Sequence, residues 1–378
     1  MKRILFDLTA VQPNASGKMH GGGKYGIVVF LELMKRPIEM EAVYHSSLYL
    51  PKEIESDCKK IKLHDLDRED LVSVVKNGSY DVYYSALPDR GVALQDMEIK
   101  NVGTIHGLRG LEMPHDWKFL SYRQSLKQKV KILVSLLLPN IWKGRELQKS
   151  KDIITQKNFS FITVSNHTKA SLLAFYPSLK EENLKVFYSP STVIQNDVLP
   201  YCTEKYFLLV SANRPEKNAL RAVMALDELM SEREEFKSFK VFLTGANEGV
   251  FKYKIKNKEN FIFLGYVSEE DLARLYKGAF CMIYPSLNEG FGYPPMEAMN
   301  YGVPVLASPF ASIYEVCDNA ALYFNPLDYK EIKNRIIQIT YNQSLYKQFK
   351  VKGMRRAEII RAQQDKDLRE LVDWICNL

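Results

Sequence analysis

Two kinds of segment alternate along this chain: short β-branched and aromatic runs, and helix-length stretches with polar and apolar positions mixed. This alternation is typical of parallel strands covered by helices on both faces. The first half contains six predicted strands, Arg3–Leu8, Glu41–His45, Tyr80–Tyr84, Asn101–Ile105, Ser160–Val164 and Leu184–Tyr188. The second half contains six more, Tyr206–Ser211, Phe239–Thr244, Asn260–Leu264, Phe280–Tyr284, Val303–Ala307 and Ala321–Phe324. We therefore predict an α/β protein with two doubly wound parallel-sheet domains.

A stretch without a clear period separates the two sets of strands. Residues 189–204 contain turn-forming residues, so we predict the domain boundary there. This gives an N-terminal domain over residues 1–190 and a C-terminal domain over 191–359. The tail that follows, residues 360–378, has a helical pattern and an apolar end, so it could pack back on the first domain.

The composition is that of an ordinary globular protein, with 378 residues of which 46% are hydrophobic and 26% charged. No run of about 18 apolar residues is present to span a bilayer. Asp7 interrupts the opening apolar run, which therefore fits a first strand better than an export signal. The five cysteines form no CxxC pair and no zinc-type spacing, so we expect a reducing cytoplasm and no structural metal.

Two predicted strand-to-helix loops carry cations where the helix N-terminus is already partly positive. The first contains the glycine run 21–23 and Lys24, and the second contains Arg214 and Lys217. A cation at such a place costs about 0.3–1 kcal/mol, whereas a bound anion would reverse that cost. Glycines let the backbone approach the anion closely. The pair of loops predicts a phosphate-bearing ligand; the alternative is two solvated loops, with Glu216 offsetting part of the charge.

Two acids stand eight positions apart at the end of a predicted strand. Glu289 lies on the glycine-containing turn after Phe280–Tyr284, and Glu297 lies about one turn inside the helix that begins near Pro294. One carboxylate can therefore meet a ligand at the strand end while the other reaches a different part of it. The alternative is that Glu297 only complements the helix dipole and that Glu289 is a solvated loop acid.

The stretch around these acids resembles the GT-B glycosyltransferases of family 4, whose E-x7-E motif is matched by Glu289 and Glu297 in EGFGYPPMEAM. The flanking sequences FLGYVSEEDLARLYKGAFCMIYPS and YGVPVLASPFASIYEVCDNAALYFNP match the family as well. Arg214 and Lys217 in SANRPEKN match its donor-phosphate element. The resemblance is close over residues 206–326 and looser in the first half, through GGGKYG, TIHG and FITVSNHTKASL. It implies the GT-B fold, in which two Rossmann-like domains face each other across a cleft.

The resemblance implies a retaining hexosyltransferase that uses a UDP- or GDP-linked sugar and needs no metal or other cofactor. Arg214 and Lys217 would hold the diphosphate and stabilise the charge on the departing group. Glu297 would bind the ribose hydroxyls, and Glu289 would bind the sugar hydroxyls. The implied backbone contacts are Gly290, Phe291 and Gly292 for the sugar, and Tyr266 and Val267 for the base.

The first domain contributes His106, which follows Asn101–Ile105 in the sequence TIHG and is expected to face the cleft near the donor sugar. The family often has His-Asp at this place, and this chain has His-Gly. Any task of that aspartate is therefore absent or performed elsewhere. Gly22 and Gly23 would approach the diphosphate when the domains close, and Lys24 is a weaker candidate.

Residues 118–151 hold nine Lys or Arg against one acid, a net charge of +8 in a chain whose total is +7. Their apolar residues recur every three or four positions, which predicts one apolar helical face formed by Phe119, Tyr122, Leu126, Val130, Leu133 and Leu137. This face could pack on the first domain, or it could rest on an anionic membrane surface. Because many relatives glycosylate lipid-linked acceptors for cell-surface polysaccharide, we favour the membrane, on its cytoplasmic face.

Other functions fit the sequence less well. A non-catalytic binder of nucleotide sugars would not need the intact set of Glu289, Glu297, Arg214 and Lys217, although a sugar-nucleotide epimerase would share the fold. A phosphorylase would need a pyridoxal lysine, which no local motif supports. A nicotinamide dehydrogenase is disfavoured because no GxGxxG follows a strand. Nucleic acid is disfavoured because the basic segment belongs to no known reading module.

Overall fold

The structure of the chain is a computed structural model that describes residues 1–12, 21–88, 93–94, 96–123, 125–156, 158–191, 197–251 and 254–378. These residues group into two compact units. Unit 1 comprises Met1–Leu108, Arg145–Ser191 and Ala362–Leu378, and unit 2 comprises Arg109–Gly144 and Thr192–Arg361. Within the described ranges, no helix combines the length and the apolar character needed to cross a bilayer.

The strands and helices of the described residues alternate along most of the chain. The strands are β1 (Arg3–Asp7), β2 (Glu39–Tyr44), β3 (Lys62–Asp65), β4 (Val82–Ser85), β5 (Lys100–Ile105), β6 (Phe159–Thr163), β7 (Leu184–Val186), β8 (Tyr206–Leu209), β9 (Lys240–Thr244), β10 (Phe261–Gly265), β11 (Cys281–Tyr284), β12 (Val305–Ala307) and β13 (Ala321–Tyr323). The helices are α1 (Gly21–Leu33), α2 (Lys52–Cys58), α3 (Leu71–Gly78), α4 (Arg109–Glu112), α5 (Leu126–Leu137), α6 (Pro139–Ile154), α7 (Asn166–Phe175), α8 (Ala219–Glu232), α9 (Glu269–Gly278), α10 (Tyr293–Asn300), α11 (Ser312–Cys317), α12 (Tyr329–Tyr341) and α13 (Gln343–Cys376).

Unit 1 is built on a parallel sheet whose described strands run in the order β3-β2-β1-β4-β5-β6-β7. The sequence predicts all of them except β3. This edge strand has Leu63 as its one aliphatic residue, and its buried position is taken by His64. The His64 ring bonds Glu41 of β2 at 2.7 Å and the Tyr80 hydroxyl at 3.0 Å. A polar residue therefore holds an inward position where the pattern demands an apolar one.

Unit 2 is built on a second parallel sheet, with its described strands in the order β10-β9-β8-β11-β12-β13. All six are predicted by the sequence, with bounds that differ by a few residues. Side chains of β8 alternate between two buried clusters, Phe207 and Leu209 in one and Tyr206 and Leu208 in the other. Helices α8 and α12 supply the first cluster and α9, α10 and α11 supply the second. Two covered faces explain why β8 and β11 are buried throughout.

The placement of residues 109–144 differs from the predicted domain division. The prediction assigns them to the N-terminal domain, whereas in the structure they group with unit 2. Two buried contacts to the start of α8 explain this grouping. The Arg221 guanidinium bonds both carboxylate oxygens of Asp116, at 2.5 and 3.0 Å. The backbone N–H of Leu220 donates to the Tyr122 hydroxyl at 2.8 Å, which satisfies a donor that the first turn of a helix leaves unpaired.

The single apolar helical face predicted from Phe119 to Leu137 is wrong in its first part. Trp117–Tyr122 forms a 3₁₀ helix, Arg123 is extended, and α5 begins only at Leu126. Tyr122 is buried, but none of the α5 residues is. The alternative that this face packs on the first domain is not supported for α5, since the helix groups with unit 2 and most of its apolar side chains are exposed.

The helical tail predicted by the sequence is α13, which covers residues 343–376. Its end, Ala362–Leu378, groups with unit 1. Within that unit the backbone N–H of Tyr188 donates to Asp367 at 2.7 Å, and Arg36 pairs with Asp373 at 2.9 Å. Of the four places where the chain passes from one unit to the other, the one after Ser191 lies within the predicted boundary stretch, of which residues 192–196 lie outside the described residues.

Candidate functional site

The sheet of unit 2 changes its direction of growth between β8 and β11. Strands β9 and β10 extend it on one side of β8, and β12 and β13 extend it on the other side of β11. The carboxyl ends of the strands at such a switch point form a crevice between diverging loops, where ligands of doubly wound sheets bind. Arg214 and Lys217 follow β8, and Glu289 follows β11, so the structure brings these three predicted site residues to one place.

Asn218 locks the loop after β8 into position. Its backbone adopts the left-handed conformation, with φ of 53°, which Asn tolerates better than most residues. Its side-chain amide donates to the carbonyls of Pro285, in the loop after β11, and Pro326, in the loop after β13. The amide oxygen accepts from Arg221 at 2.8 Å. One residue therefore ties three loops of the crevice together.

Lys217 and Glu289 form a buried ion pair at the centre of the site. The Lys217 Nζ lies 2.6 Å from Glu289 Oε1, and only 7% and 10% of the two side chains are exposed. The Tyr284 hydroxyl accepts from Lys217 at 2.7 Å and donates to the same carboxylate oxygen at 2.7 Å. Ser286 Oγ also donates to Glu289 Oε1. The alternative that these charges are solvated on loops is therefore excluded.

Burial and charge act on the pKa values of this cluster in opposite directions. Burial alone would raise the pKa of the Glu289 carboxyl, but the Lys217 ammonium and the Ser286 and Tyr284 hydroxyls outweigh it and hold the pKa below its usual range. Burial lowers the pKa of the Lys217 ammonium in spite of the Glu289 charge. Burial and the Glu289 charge raise the pKa of Tyr284 well above its usual value. Tyr284 therefore stays a neutral donor to an ionised Glu289.

Arg214 is held by a second acid. Its guanidinium lies 2.5 Å from Glu216 Oε1, and the same oxygen accepts from Arg109 at 2.8 Å. Burial opposes ionisation of Glu216, but the two arginines outweigh it and lower the pKa of that carboxyl. The cations at the start of α8 are thus already paired with acids, so the charge cost inferred from the sequence is offset within the protein. About half of the Arg214 side chain remains exposed and can meet a ligand.

The turn after Glu289 is built around Gly292. Gly292 precedes α10 with φ of 109°, a conformation that favours glycine. Ser312 Oγ, at the start of α11, bonds the backbone carbonyls of Glu289 at 2.9 Å and Phe291 at 2.8 Å. The backbone from Gly290 onward is therefore fixed against α11, next to the buried carboxylate.

Glu297 lies on α10 and has a different environment from Glu289. Its Oε2 accepts from the hydroxyl of Tyr276 on α9 at 2.8 Å. Burial and the Glu297 charge raise the pKa of Tyr276 well above its usual value, so the tyrosine remains a donor. Tyr266 and Val267 follow β10, two strands from β8, and the Tyr266 side chain is 83% exposed. Tyr266 and Val267 thus lie at the carboxyl edge of the same sheet as the loops that carry Arg214 and Glu289.

The predicted residues of unit 1 lie at the carboxyl edge of its own sheet. The sequence places Gly22 and Gly23 in the loop before a helix, but in the structure they lie in the first turn of α1. Tyr25 of the same helix packs edge-on against the ring of His106, with centroids 4.9 Å apart. The His106 Nε2 lies 3.0 Å from the carbonyl oxygen of Ala86, which can only accept, so this nitrogen carries the proton.

Several residues that position the site carry no signal in the sequence. Tyr284, Ser286, Asn218 and Ser312 stand in the matched stretches, but nothing in their spacing separates them from neighbouring polar residues. They are recognised only because they are buried and bonded to Lys217, Glu289 or the backbone around them. Among the described residues, no group of three or more His, Cys, Asp or Glu is arranged to hold a metal ion.

Comparison with known proteins adds to this geometry. Residues 191–356 match the model of the family "Glycosyl transferases group 1". The O-antigen chain mannosyltransferase RfbU of Salmonella typhimurium is 32% identical over 184 residues, which are 47% of this chain and 50% of that protein. The match thus spans about half the length of that curated relative.

Solved structures resemble the chain over nearly its whole length. The Anabaena protein Alr3699/HepE, in complex with UDP and glucose, has a TM-score of 0.67 at 14% identity, with 100% of both chains covered. WaaG, a glycosyltransferase involved in lipopolysaccharide biosynthesis, has a TM-score of 0.66 at 14% identity, with 98% of this chain and 99% of WaaG covered. The identities are too low to carry more than the fold. Residues 191–356 are therefore similar to the group 1 glycosyltransferases, and the two parallel-sheet units of the chain have the fold of the GT-B enzymes.

Proposed function

We propose that this protein transfers a hexose from a nucleoside-diphosphate sugar to a hydroxyl of a glycan or lipid-linked acceptor, with retention of anomeric configuration and without a metal. The observation that carries the proposal is the buried Lys217–Glu289 pair at the switch point of the unit 2 sheet. A carboxylate and an ammonium brought together there, beside a half-exposed arginine, suit a ligand that combines hydroxyls with phosphates.

Glu289 has bonding capacity left for the sugar. Its three side-chain hydrogen bonds within the described part of the chain all end on Oε1. A carboxylate offers about four lone-pair sites over its two oxygens. In the proposal Oε2 accepts hydrogen bonds from hexose hydroxyls, and the backbone of Gly290, Phe291 and Gly292 supplies further contacts. The pKa of Glu289, held low, keeps it an acceptor at neutral pH.

Arg214 and Lys217 serve the diphosphate. An ammonium has three donors, and the contacts of Lys217 to Glu289 and Tyr284 use two of them. The third donor and the exposed half of the Arg214 guanidinium would stabilise the negative charge that grows on the departing diphosphate. Because both cations are fixed by acids before the donor binds, little reorganisation is needed during the reaction.

The remaining donor contacts follow the family resemblance. Glu297, oriented by Tyr276, would bind the ribose hydroxyls, and the backbone of Tyr266 and Val267 would contact the base. In unit 1, His106 would act near the sugar, while Gly22 and Gly23, in the first turn of α1, would approach the diphosphate. Replacing His106 by Ala should then lower turnover and leave binding of the free nucleotide unchanged.

Mannose is the first sugar to test, because the Salmonella relative is named a mannosyltransferase. A thermal-shift panel with GDP-mannose, UDP-glucose, UDP-galactose, GDP and UDP would identify the donor. A ligand at 100 times its dissociation constant stabilises the folded state by about 2.7 kcal/mol, so the true donor should shift the melting temperature by several degrees. If no nucleotide sugar shifts it, the proposal fails at its first step.

Transfer itself is tested on the ion pair. Glu289→Gln keeps the size of the side chain and Lys217→Met keeps most of its length, and each should reduce transfer at least a hundredfold. The exposed Glu259→Gln in the same unit is the matched control and should leave turnover unchanged. Near-normal rates in both site variants would contradict the assignment. Donor binding without transfer to any acceptor or to water would favour the non-catalytic binder.

The stereochemistry and the metal requirement have their own measurements. Proton NMR of the first product formed should show the anomeric configuration of the donor sugar. Chelation with EDTA should leave the rate unchanged. An inverted product, or a rate that falls on chelation and returns with a divalent cation, would overturn that part of the proposal.

We also propose that α5 rests on an anionic membrane surface. Five of its apolar side chains form one exposed stripe, called the outer stripe: Leu126, Val130, Leu133, Val134 and Leu137. At 100° per residue these span about a third of the helix circumference. The exposed Lys127 and Lys131 flank it on one edge and Lys129 on the other. An apolar stripe bordered by lysines is what binds the interface of a bilayer with negative headgroups.

A further inference from the structure

Unit 2 contains a cavity of about 310 Å³ that the donor assignment does not use. Its walls come from residues 109–143 and from Pro215 and Glu216, which belong to the loop after β8. The cavity thus lies between the segment that α8 anchors through Asp116 and Tyr122 and the loop that carries Arg214. Because the cavity and the loop that carries Arg214 belong to the same unit, a ligand bound in the cavity lies close to that loop.

The polar part of the cavity favours an anion. Arg109, Arg123 and Lys143 line it, together with His115. Among the described residues that line the cavity, the acid is Glu216, and its charge is already shared by Arg109 and Arg214. No acid in the described part of the chain forms an ion pair with Arg123 or Lys143. Within those residues, two cations therefore face this space without a counter-charge.

The other part of the cavity is apolar. Phe119, Ile132, Leu136 and Trp142 line it. An inorganic phosphate or a free sugar would leave these side chains in water, whereas a hydrocarbon chain attached to the anion would cover them. The lining therefore fits an amphipathic ligand, with a phosphate group at one end and an apolar chain at the other.

One face of α5 lines the cavity, and the opposite face carries the outer stripe. Ile132, Ser135 and Leu136 line the cavity, while the outer stripe lies about half a turn around the helix from them. A ligand held in the cavity thus lies directly behind the helix face that we propose to contact lipid. A hydrocarbon chain attached to that ligand would have to pass only the width of α5, about 10 Å, to reach the same bilayer.

A shared carboxylate connects the cavity with the donor site. Glu216 Oε1 accepts from Arg109, which lines the cavity, and from Arg214, which we assign to the donor diphosphate. The backbone carbonyl of the same residue accepts from the Leu287 N–H and from Ser286, which also bonds Glu289. Glu216 is therefore the single residue that links Arg109, which lines the cavity, to Arg214, which we assign to the donor.

From these observations we propose that the cavity binds the anionic headgroup of a lipid-linked acceptor, a phosphate or diphosphate joined to a long hydrocarbon chain, with Arg123 and Lys143 as its anion ligands. This inference rests on the proposed glycosyltransferase function, whose acceptor it specifies. It assigns the acceptor headgroup to unit 2, on residues that have no role in holding the donor.

Calorimetric titration with farnesyl diphosphate, below its aggregation concentration, tests the site directly. Inorganic diphosphate supplies the charge without the chain, and farnesol supplies the chain without the charge. We expect farnesyl diphosphate to bind at least tenfold more tightly than either. Equal binding of inorganic diphosphate would identify a free-phosphate site and overturn the lipid assignment, and equal binding of farnesol would overturn the anion assignment.

Substitutions of the two proposed anion ligands test where farnesyl diphosphate binds. Arg123→Gln with Lys143→Gln should weaken farnesyl diphosphate binding by about a hundredfold, roughly tenfold for each charge-assisted hydrogen bond that the substitutions remove. The matched control, Lys347→Gln with Lys350→Gln, removes two exposed lysines of α13 and should change nothing. Unchanged affinity in the cavity variant would overturn the proposal. If that variant melts early, either single substitution should still weaken binding about tenfold.

Titration of the same proteins with the donor nucleotide sugar separates this inference from the proposed function. The cavity variant should bind donor normally and transfer sugar normally to a water-soluble acceptor that lacks phosphate and chain. It should show a raised KM for a farnesyl-diphosphate-linked acceptor. Loss of donor binding in the cavity variant would overturn the cavity assignment alone, while absence of donor binding in the wild type would overturn the function.

Discussion

The Tyr284 hydroxyl is bonded to both members of the buried ion pair, since it accepts from Lys217 and donates to Glu289. Tyr284→Phe leaves the ring and removes these two bonds. We expect the free energy of unfolding to fall by about 1–3 kcal/mol, because both partners are charged and buried. We also expect kcat to fall more than tenfold, since Glu289 loses a bond that orients it. Urea unfolding and transfer kinetics measure the two effects.

Tyr206→Phe is the matched control for this substitution. Tyr206 is buried in the same unit, and its hydroxyl donates to the backbone carbonyl of Leu275 at 2.7 Å, away from the ion pair. Its loss should lower stability by about 1 kcal/mol and leave kcat unchanged. Equal loss of activity in both variants would mean that Tyr284 acts on the fold alone and not on Glu289.

The pKa of Glu289 predicts how stability depends on pH. A carboxyl whose pKa is lower in the folded than in the unfolded chain stabilises the fold above its unfolded value, about 4.3, and loses that contribution as pH falls through the folded value. The difference in unfolding free energy between the wild type and Glu289→Gln should therefore be at its full value at about pH 6 to 7 and shrink below about pH 4. Urea unfolding at a series of pH values measures it, and a difference that grows on acidification would contradict the ionised pair.

At the residue scale the sequence predicts the charged members of the site and misses the neutral ones. Lys217 stands out because a cation at a helix start is costly without an anionic partner, and Glu289 stands out because it matches the E-x7-E pattern of the family that the sequence resembles. Ser286 and Ser312 leave no such signal, since a serine in a loop is common whether it is buried or exposed. Their roles depend on contacts between loops that are distant in the chain, which no local pattern encodes.

At the element scale, strands were predictable where both faces of the sheet are covered. Runs such as β8 and β11 are apolar throughout, and their length separates them from helices. The edge strand β3 was missed because a polar network replaces its inward apolar residue. The placement of residues 109–144 with unit 2 could not be predicted either, since it depends on long-range polar contacts of Asp116 and Tyr122.

The Asp116–Arg221 contact is expected to hold that segment on unit 2. Both side chains are buried, so Asp116→Asn leaves the Arg221 charge without its partner. We expect a loss of about 3–5 kcal/mol in unfolding free energy, together with faster amide hydrogen exchange over residues 109–123. Thermal unfolding and exchange followed by mass spectrometry measure the two effects.

The companion double variant distinguishes the pair from a general packing defect. Asp116→Leu with Arg221→Met replaces both charges by apolar groups and should recover a large part of the lost stability. The half-exposed Asp271→Asn, whose partner Arg274 is also half-exposed, should cost less than about 1 kcal/mol. If the double variant is as unstable as Asp116→Asn, the unpaired charge is not the cause.

On the scale of the whole molecule, the charge is distributed unevenly. The net charge of the chain is +7, and residues 118–151 alone contribute +8. The rest of the chain is therefore nearly neutral. Electrostatic attraction to an anionic surface would then orient the protein with the outer stripe of α5 toward that surface, since the field of the molecule comes mainly from this one segment.

Vesicle binding tests this orientation. Each basic residue near an anionic surface contributes about 1 kcal/mol, so Lys127→Gln, Lys129→Gln and Lys131→Gln together should weaken binding to phosphatidylglycerol vesicles about a hundredfold. Replacing Lys258, Lys347 and Lys350, three exposed lysines elsewhere in unit 2, by Gln removes the same charge and should have little effect.

Val130→Gln with Leu137→Gln should also weaken binding to the vesicles, because the apolar stripe of α5 no longer enters the interface. Sedimentation with vesicles at low and high salt separates the electrostatic contribution of the lysines from the contribution of apolar burial, since salt screens the first and leaves the second intact. Equal losses in both triple-lysine variants would mean that net charge, and not the α5 surface, drives binding.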